Sequence, residues 1–147
     1  MLKHQLLHPR ITAALARGGH TSRVLISDGN FPHGTRRGPN AEVVYLNLRP
    51  GLPGVTDVLE TLITAIPIEE AQVMDYARTG THALENDPDI WADFGRLLQN
   101  TDCRGGLKKI ERFAFYDAAG APDVILTIAT GEQRIYANLL LTIGVVR

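Results

Sequence analysis

Cysteine, excess basic charge and long apolar runs are all scarce in this 147-residue sequence. The single cysteine, Cys103, has no partner for an internal disulfide, which excludes a small secreted domain held together by disulfides. Fifteen Lys and Arg residues against sixteen Asp and Glu residues leave no basic surplus, which argues against a nucleic-acid-binding protein. The best apolar candidates, residues 124–129 and 139–146, are strand-length and too short to cross a bilayer.

Common signatures of phosphate, nucleophile and metal chemistry are also missing. The sequence contains no glycine-rich phosphate loop of the Walker or dinucleotide type and no G-x-S-x-G nucleophile elbow. Among five histidines only His4 and His8 have helical spacing, and no further ligands support them, so no metal site is expected. Cys103 has no neighbour in the sequence that marks it as an activated nucleophile.

The length and composition are those of one folded domain. Hydrophobic residues make up 44% and charged residues 21%, so the chain can bury a core, and we expect a single domain over residues 1–147. The first acidic residue is Asp28, and the basic stretch before it is typical of a transit peptide. Pro9 and Gly18 instead bracket a short helix that leads into the rest of the domain, so we expect a cytoplasmic protein that does not enter a membrane.

Apolar periodicity predicts an alternation of helices and strands. Apolar side chains recur every three or four positions over residues 53–66, and again after Asp87-Pro88, where Asp87 is expected to cap a helix that runs through Leu98. Residues 111–119 are interpreted as helix or turn. Apolar runs predict strands at residues 24–26, 43–46, 71–77, 124–129 and 139–146. This alternation favours an α/β fold: a layered, mostly parallel sheet with helices on both faces.

Polar residues flank the first predicted strand. Ligands of such sheets bind beyond the carboxyl ends of the strands. Asp28 follows strand 24–26, where its carboxylate either meets a ligand or forms an Asx-turn cap. His20 precedes the strand, and its imidazole suits proton transfer near neutral pH. We expect the site in this neighbourhood.

Two further pairs of side chains suit the binding of hydroxyl groups. Arg112 and Tyr116 stand four apart, so a helix places them on one face, either to hold hydroxyls or as an exposed cation packed on an aromatic ring. Tyr136 and Asn138 stand two apart just before the last strand, and an extended backbone would direct both to one side. The second pair suits a polyol, although an ordinary turn has the same composition.

Five short segments together resemble the L-fucose mutarotase and D-ribose pyranase family. They match in order and spacing along nearly the whole chain. The segments are Gly19-His20, Ser27-Asp28-Gly29-Asn30-Phe31-Pro32, Glu111-Arg112-Phe113-Ala114-Phe115-Tyr116, Thr130-Gly131-Glu132 and Tyr136-Ala137-Asn138. The Arg-Phe-x-Phe-Tyr segment and the Asp-x-x-Phe-Pro loop are similar to the fucose mutarotase branch, whereas Tyr-Ala-Asn is similar to the ribose pyranase version.

The resemblance implies a cofactor-free enzyme that interconverts the anomers or ring forms of a monosaccharide, L-fucose first. It implies that His20 is the proton donor, with Asp28, Tyr116 and Tyr136 as further candidates for catalysis. The residues that match the family's sugar contacts are Asp28, Arg112, Tyr136, Ala137 and Asn138. It also implies a ring-shaped homo-oligomer, usually a decamer, with sites near subunit contacts.

Three alternatives remain open from the sequence. One keeps the enzyme class and changes the sugar, to D-ribose or another hexose. Another is a sugar-binding protein that lost proton transfer. The third is a purely structural oligomer whose polar loops are ordinary caps.

Overall fold

The computed structural model describes residues 1–147 and contains four helices and six strands. In chain order the elements are α1 (Pro9–Arg17), β1 (Arg23–Ser27), β2 (Glu42–Tyr45), α2 (Val55–Leu62), β3 (Ile68–Met74), α3 (Asp89–Leu98), β4 (Leu107–Ile110), α4 (Arg112–Ala119), β5 (Val124–Ala129) and β6 (Leu139–Ile143). None of the helices has the length and apolarity needed to span a bilayer.

All six strands form one sheet in the order β2-β5-β1-β6-β3-β4. The β2, β5 and β1 strands pair in parallel, as do β3 and β4, whereas β6 lies antiparallel between β1 and β3. The sheet is therefore mostly parallel, as the sequence predicts. One edge of the sheet collects the carboxyl ends of β1, β3 and β5 and the amino end of β6, and the polar segments that follow or precede these strands meet there.

Helices cover both faces of the sheet, as expected. On one face, buried side chains of α1, α2 and α3 pack on Val24, Ile26 and Leu139 of the sheet. On the other face, α4 packs Phe115 on alternate strand residues such as Leu25. This alternation of inward faces along β1 is the period-two pattern of a strand buried on both sides.

Several predicted boundaries differ from the structure. The β3 strand begins at Ile68 and ends at Met74 rather than spanning 71–77, because its pairing with β6 begins at Ile68 and its pairing with β4 ends at Met74. The α2 helix ends at Leu62, and the following turn carries the remaining apolar residues up to Pro67. The final strand ends at Ile143. The prediction that Asp87 caps α3 is wrong, because Pro88 occupies that position and the Asp87 carboxylate binds elsewhere.

Candidate active site

A cavity of about 540 Å³ opens at the carboxyl edge of the sheet. Its polar lining includes Asp28 and Asn138, which stand at the ends of the neighbouring strands β1 and β6. Three more polar lining residues come from α4 and from the loop before β6. They are Arg112, Tyr116 and Tyr136. Five side chains that sequence and resemblance assign to a sugar site therefore line one cavity.

Asp28 and Asn138 hold each other by two reciprocal hydrogen bonds. The Asn138 amide donates to Asp28 Oδ2 at 2.9 Å, and the Asp28 backbone N–H donates to Asn138 Oδ1 at 2.9 Å. The other carboxylate oxygen accepts the backbone N–H of Asn30 at 3.0 Å. Both Asp28 and Asn138 are buried. The pairing joins the ends of β1 and β6 and fixes the carboxylate at the base of the cavity.

The charge on Asp28 is only partly compensated. Burial raises the pKa of the carboxyl above its ordinary value, and hydrogen bonds from the backbone of Asn30, Ala137 and Phe31 and from Asn138 oppose that rise. The net shift is upward. A carboxylate that holds a proton more readily than usual suits exchange of protons with a bound hydroxyl group.

The loop before β6 presents Tyr136 in a left-handed backbone conformation, with φ of 55°. The prediction of extended backbone at this position is therefore wrong, although Tyr136 and Asn138 both line the cavity. The Trp91 indole N–H donates to the Tyr136 carbonyl at 2.9 Å, and the Tyr76 ring packs edge-on against the Tyr136 ring with centroids 6.0 Å apart. These contacts from α3 and from the residues after β3 stabilise the unusual conformation.

Ala137 has a different position from its neighbours. Its side chain is fully buried in the core under the three-helix face and does not line the cavity. Its backbone lies beside the Asp28 carboxyl and lowers the pKa of that group, which is its link to the site. A role in the site for Ala137 therefore rests on its backbone.

Arg112 and Tyr116 share one face of α4, as their spacing predicts, with the guanidinium 6.0 Å from the ring centroid. The helix begins at Arg112 because the Glu111 side chain accepts the N–H groups of Phe113 and Ala114, at 2.8 and 3.1 Å. This cap sets the start of the helix and so the direction of Arg112 toward the cavity.

His20 lies outside this cavity. It precedes β1, whereas Asp28 follows it, and five residues of extended chain separate the two ends of the strand by about 16 Å. Its Nε2 atom lies 3.0 Å from Glu69 Oε2, and both side chains are exposed. His20 and Asp28 therefore do not share one site within a single chain. They flank the same strand, and its two ends lie at opposite edges of the sheet.

One side of the cavity is formed by a segment that no sequence pattern predicted to belong to the site. Residues 75–88 connect β3 to α3 without helix or strand, and we call residues 77–88 the strap. Thr81, His82, Ala83 and Leu84 of the strap line the cavity together with Met74. The strap is polar and irregular in sequence, so no periodicity signalled it. Glu69 was also missed, because only the fold brings β3 beside the residues before β1.

Glu132 anchors the loop that carries Tyr136. Its carboxylate accepts the side chain and backbone N–H of Arg134, and it also accepts the N–H of Val55 at the start of α2 at 3.2 Å. Burial raises the pKa of Glu132, but these hydrogen bonds and the Arg134 charge outweigh it and lower the pKa to about 2. Arg134 in turn pairs with Asp93 of α3 at 2.9 Å. The loop is thus tied to two helices.

Cys103 is a free and buried thiol. Burial raises the pKa of the Cys103 thiol, which keeps it protonated. Nowhere in the chain do three or more His, Cys, Asp or Glu side chains come together to hold a metal ion.

A match to a family model extends over residues 1–146 and carries the description "RbsD / FucU transport protein family". The chain belongs to this family. Membership confirms the resemblance found in the sequence, and the fold agrees with it.

Named relatives fall in both branches of the family. The chain is 31% identical to the fucose mutarotase of Homo sapiens, covering 95% of this chain and 90% of that protein. It is 32% identical to D-ribose pyranase 1 of Rubrobacter xylanophilus, covering 99% and 98%. These two names support the expectation of a carbohydrate isomerase and leave both sugars open.

Solved structures of this family share the fold. FucU from Bifidobacterium longum has a TM-score of 0.78 at 33% identity, covering 95% of each chain. RbsD from Bacillus subtilis, complexed with D-ribose, has a TM-score of 0.78 at 24% identity over 100% of both chains. At that identity the second likeness concerns the fold alone.

Proposed function

We propose that this protein is a carbohydrate isomerase that interconverts the α and β anomers of a free monosaccharide, with L-fucose as the preferred sugar. The observation that carries the proposal is the reciprocal Asp28–Asn138 pair, buried at the base of a cavity that Arg112 and two tyrosines also line. Such a set of hydrogen-bonding groups matches the several hydroxyls of one sugar ring. The catalysis needs acid and base groups only, so the proposal includes no cofactor.

Apolar residues of the same cavity favour L-fucose over D-ribose. The cavity lining includes an apolar group made up of Phe31, Met74, Ala83, Leu84 and Ile135. L-fucose is a 6-deoxy sugar with a methyl group on its ring, whereas the pyranose form of ribose has no sixth carbon. Burying one methyl group contributes about 0.8 kcal/mol, or roughly a fourfold gain in affinity.

The D-ribose pyranase alternative has an observation of its own. Alanine stands at position 137, as in the ribose pyranase version of the Tyr-x-Asn segment. Its methyl group is buried in the core rather than in the cavity, so it does not narrow the space for a sixth carbon. For this reason we rank ribose second.

The roles we assign follow the geometry. Asp28 exchanges a proton with a sugar hydroxyl, Arg112 and Asn138 hold further hydroxyls, and Tyr116 and Tyr136 either bind the ring or assist proton transfer. The backbone of Ala137 supports Asp28. The Arg112 guanidinium has five N–H donors and suits vicinal hydroxyls.

His20 takes part, in this proposal, through a second copy of the chain. One chain leaves it about a strand length from Asp28, beside Glu69, whose carboxylate orients the imidazole. A ring-shaped homo-oligomer, expected to be a decamer, would bring His20 of a neighbour to this cavity as the donor of a proton to the ring oxygen. Activity would then require assembly and would take place in the cytoplasm on free sugar.

The test is saturation-exchange NMR at anomeric equilibrium with catalytic amounts of protein. L-fucose is compared with L-galactose, which has a hydroxyl added at C6, with D-arabinose, which lacks C6, and with D-ribose. We expect the order fucose, then arabinose, then galactose, because an unpaired hydroxyl in an apolar pocket costs more than a missing methyl. Acceleration for ribose alone would select the pyranase.

Two controls separate the remaining alternatives. Binding of fucose without accelerated exchange would indicate a sugar-binding protein that lacks proton transfer. For the assembly, His20→Asn and Asp28→Asn proteins are mixed after each is shown to be inactive. Mixed rings would contain some sites with both residues intact, so recovery of exchange supports sites shared between copies, and no recovery argues for sites within one chain.

A further inference from the structure

His82 is the one histidine that lines the cavity. It lies near the middle of the strap, in the run Thr81 to Leu84 that borders the cavity from the side of β3. It is exposed, so its ring can meet a ligand that enters from solvent. An imidazole gains and loses protons near neutral pH, and guanidinium and phenol groups do not.

Hydrogen bonds near both ends of the strap hold it in place. The Asp87 carboxylate accepts the Tyr76 hydroxyl at 2.9 Å and the Lys109 ammonium at 2.8 Å, which joins the strap to β4. Nearer the tip, the Leu84 N–H donates to the Ala77 carbonyl at 3.1 Å and closes the segment into a loop. These contacts fix the segment that carries His82.

The sheet sets the order of the elements that line the cavity. Asp28 follows β1, Asn138 precedes β6, and the strap follows β3, and these three strands are adjacent in that order. Two strand spacings separate β1 from β3, or about 10 Å. Asp28 and the strap therefore enter the cavity lining from strands that are not adjacent, with β6 and Asn138 between them.

We propose that His82 is the base that takes the proton from the anomeric hydroxyl of the sugar bound in this cavity. The assignment rests on the proposed function. It gives the cavity a proton acceptor on the strap, where neither the sequence pattern nor the resemblance had placed one.

The proton of the anomeric hydroxyl moves to an imidazole nitrogen of His82, the O1–H electron pair forms the C1=O1 bond, and the C1–O5 bond breaks with its pair on O5. O5 takes a proton from the acid that the proposed function assigns to His20 of a second copy. After rotation about C1–C2, O5 returns that proton as it attacks C1, and His82 returns its proton to O1 on the other face.

The charged and titratable groups around His82 come from four elements. They are Asp28 after β1, Arg112 and Tyr116 on α4, Tyr136 before β6, and Glu85 and Asp87 on the strap itself. Because these groups also act on the cavity, the test compares variants in which His82 alone changes.

The experiment measures fucose exchange for His82→Gln, which keeps a polar side chain and removes proton transfer, and for His82→Ala. The matched control is His4→Gln, an exposed histidine in the segment before α1. We expect kcat for His82→Gln to fall on the order of 100- to 10,000-fold with little change in KM, and the control to match the wild type. Added imidazole should restore part of the activity of His82→Ala.

The outcomes distinguish the two proposals. An active wild type together with a His82→Gln protein within about threefold of it overturns the His82 assignment and leaves the proposed function standing. A rise in KM alone, or no response of His82→Ala to imidazole, reduces His82 to a binding contact and also overturns the assignment. A wild type that binds fucose without accelerating exchange overturns both.

Discussion

The two faces of the sheet differ in the number of buried residues that pack on them. The face under α1, α2 and α3 contributes to a cluster of 24 buried residues, whereas the α4 face contributes to a cluster of eight. The candidate cavity opens beside the smaller cluster, with Phe31 and Met74 shared between cluster and cavity. One face thus supplies most of the hydrophobic stabilisation, which allows the other to remain open to a ligand.

Tyr136 links the two faces. Its ring packs against both clusters, and its carbonyl accepts the Trp91 indole from the larger one. We therefore expect substitutions in the larger cluster to change stability and substitutions in the cavity to change activity. Substitutions that affect Tyr136 should change both.

Phe94→Ala should have the largest effect on stability. Phe94 is fully buried on α3 within the larger cluster, and removing its ring leaves a cavity that costs about 3–5 kcal/mol of unfolding free energy. Phe113→Ala is the matched control, because Phe113 is 66% exposed on α4, and we expect it to change stability by less than about 0.5 kcal/mol. Urea denaturation measures both, and equal losses would contradict the contrast between core and surface.

Asp28→Asn should separate activity from stability. The amide can neither accept a proton from a sugar hydroxyl nor orient that hydroxyl with a carboxylate charge, so fucose exchange should fall on the order of 100- to 10,000-fold. Stability should change by less than about 1 kcal/mol, because relief from burying a charge offsets one lost hydrogen bond to Asn138. Asp117→Asn, an exposed position on α4, serves as the control. A large loss of stability with little loss of exchange would assign Asp28 a structural role.

Periodicity predicted the parts of the fold that carry an apolar pattern of their own. The α2 and α3 helices have one apolar stripe each, and the long strands have near-continuous apolar runs. The β4 strand escaped prediction because Lys108 and Lys109 stand at its centre. They are exposed at the edge of the sheet, and only pairing with β3 makes this segment a strand.

The site was predictable where residues stand at the ends of elements. Asp28, Asn138 and Arg112 flank or begin strands and helices that the pattern predicts, so the topology brings them together. The strap has no apolar periodicity, so its place in the cavity could not be predicted. The separation of His20 from Asp28 could not be predicted either, because it depends on the direction of the strand between them. The Thr-Gly-Glu segment gains a physical reason only from the structure, since a Cβ on Gly131 would lie 2.3 Å from the Arg49 carbonyl oxygen.

Glu132→Gln tests the anchoring of the loop between the faces. A neutral amide replaces a buried carboxylate that accepts charged and backbone donors, and we expect a loss of about 1–3 kcal/mol at neutral pH. Folding lowers the pKa of Glu132 from 4.5 to about 2, so its contribution is fully present above pH 4.5 and is lost as the pH falls toward 2. The variant should therefore lose less stability than the wild type over that pH range.

The control for this experiment is Glu60→Gln, an exposed carboxylate on α2. Thermal melts of the three proteins at several pH values between 2 and 7 give the comparison. If the wild type and Glu132→Gln differ by the same amount at every pH, the carboxylate does not stabilise the loop through its charge.

Trp91→Phe should have a small effect on stability and act on both faces. The phenyl ring keeps most of the packing on α3 but removes the N–H that the Tyr136 carbonyl accepts at 2.9 Å, which costs about 1 kcal/mol. Because this bond holds Tyr136 in its left-handed conformation, we expect a further fall of about threefold to tenfold in kcat/KM for exchange. Tyr76→Phe is the comparison, since it keeps the ring against Tyr136 and loses only the bond to Asp87. If Trp91→Phe lowers stability and leaves exchange unchanged, the hydrogen bond from Trp91 to Tyr136 stabilises the fold but does not set the geometry of the site.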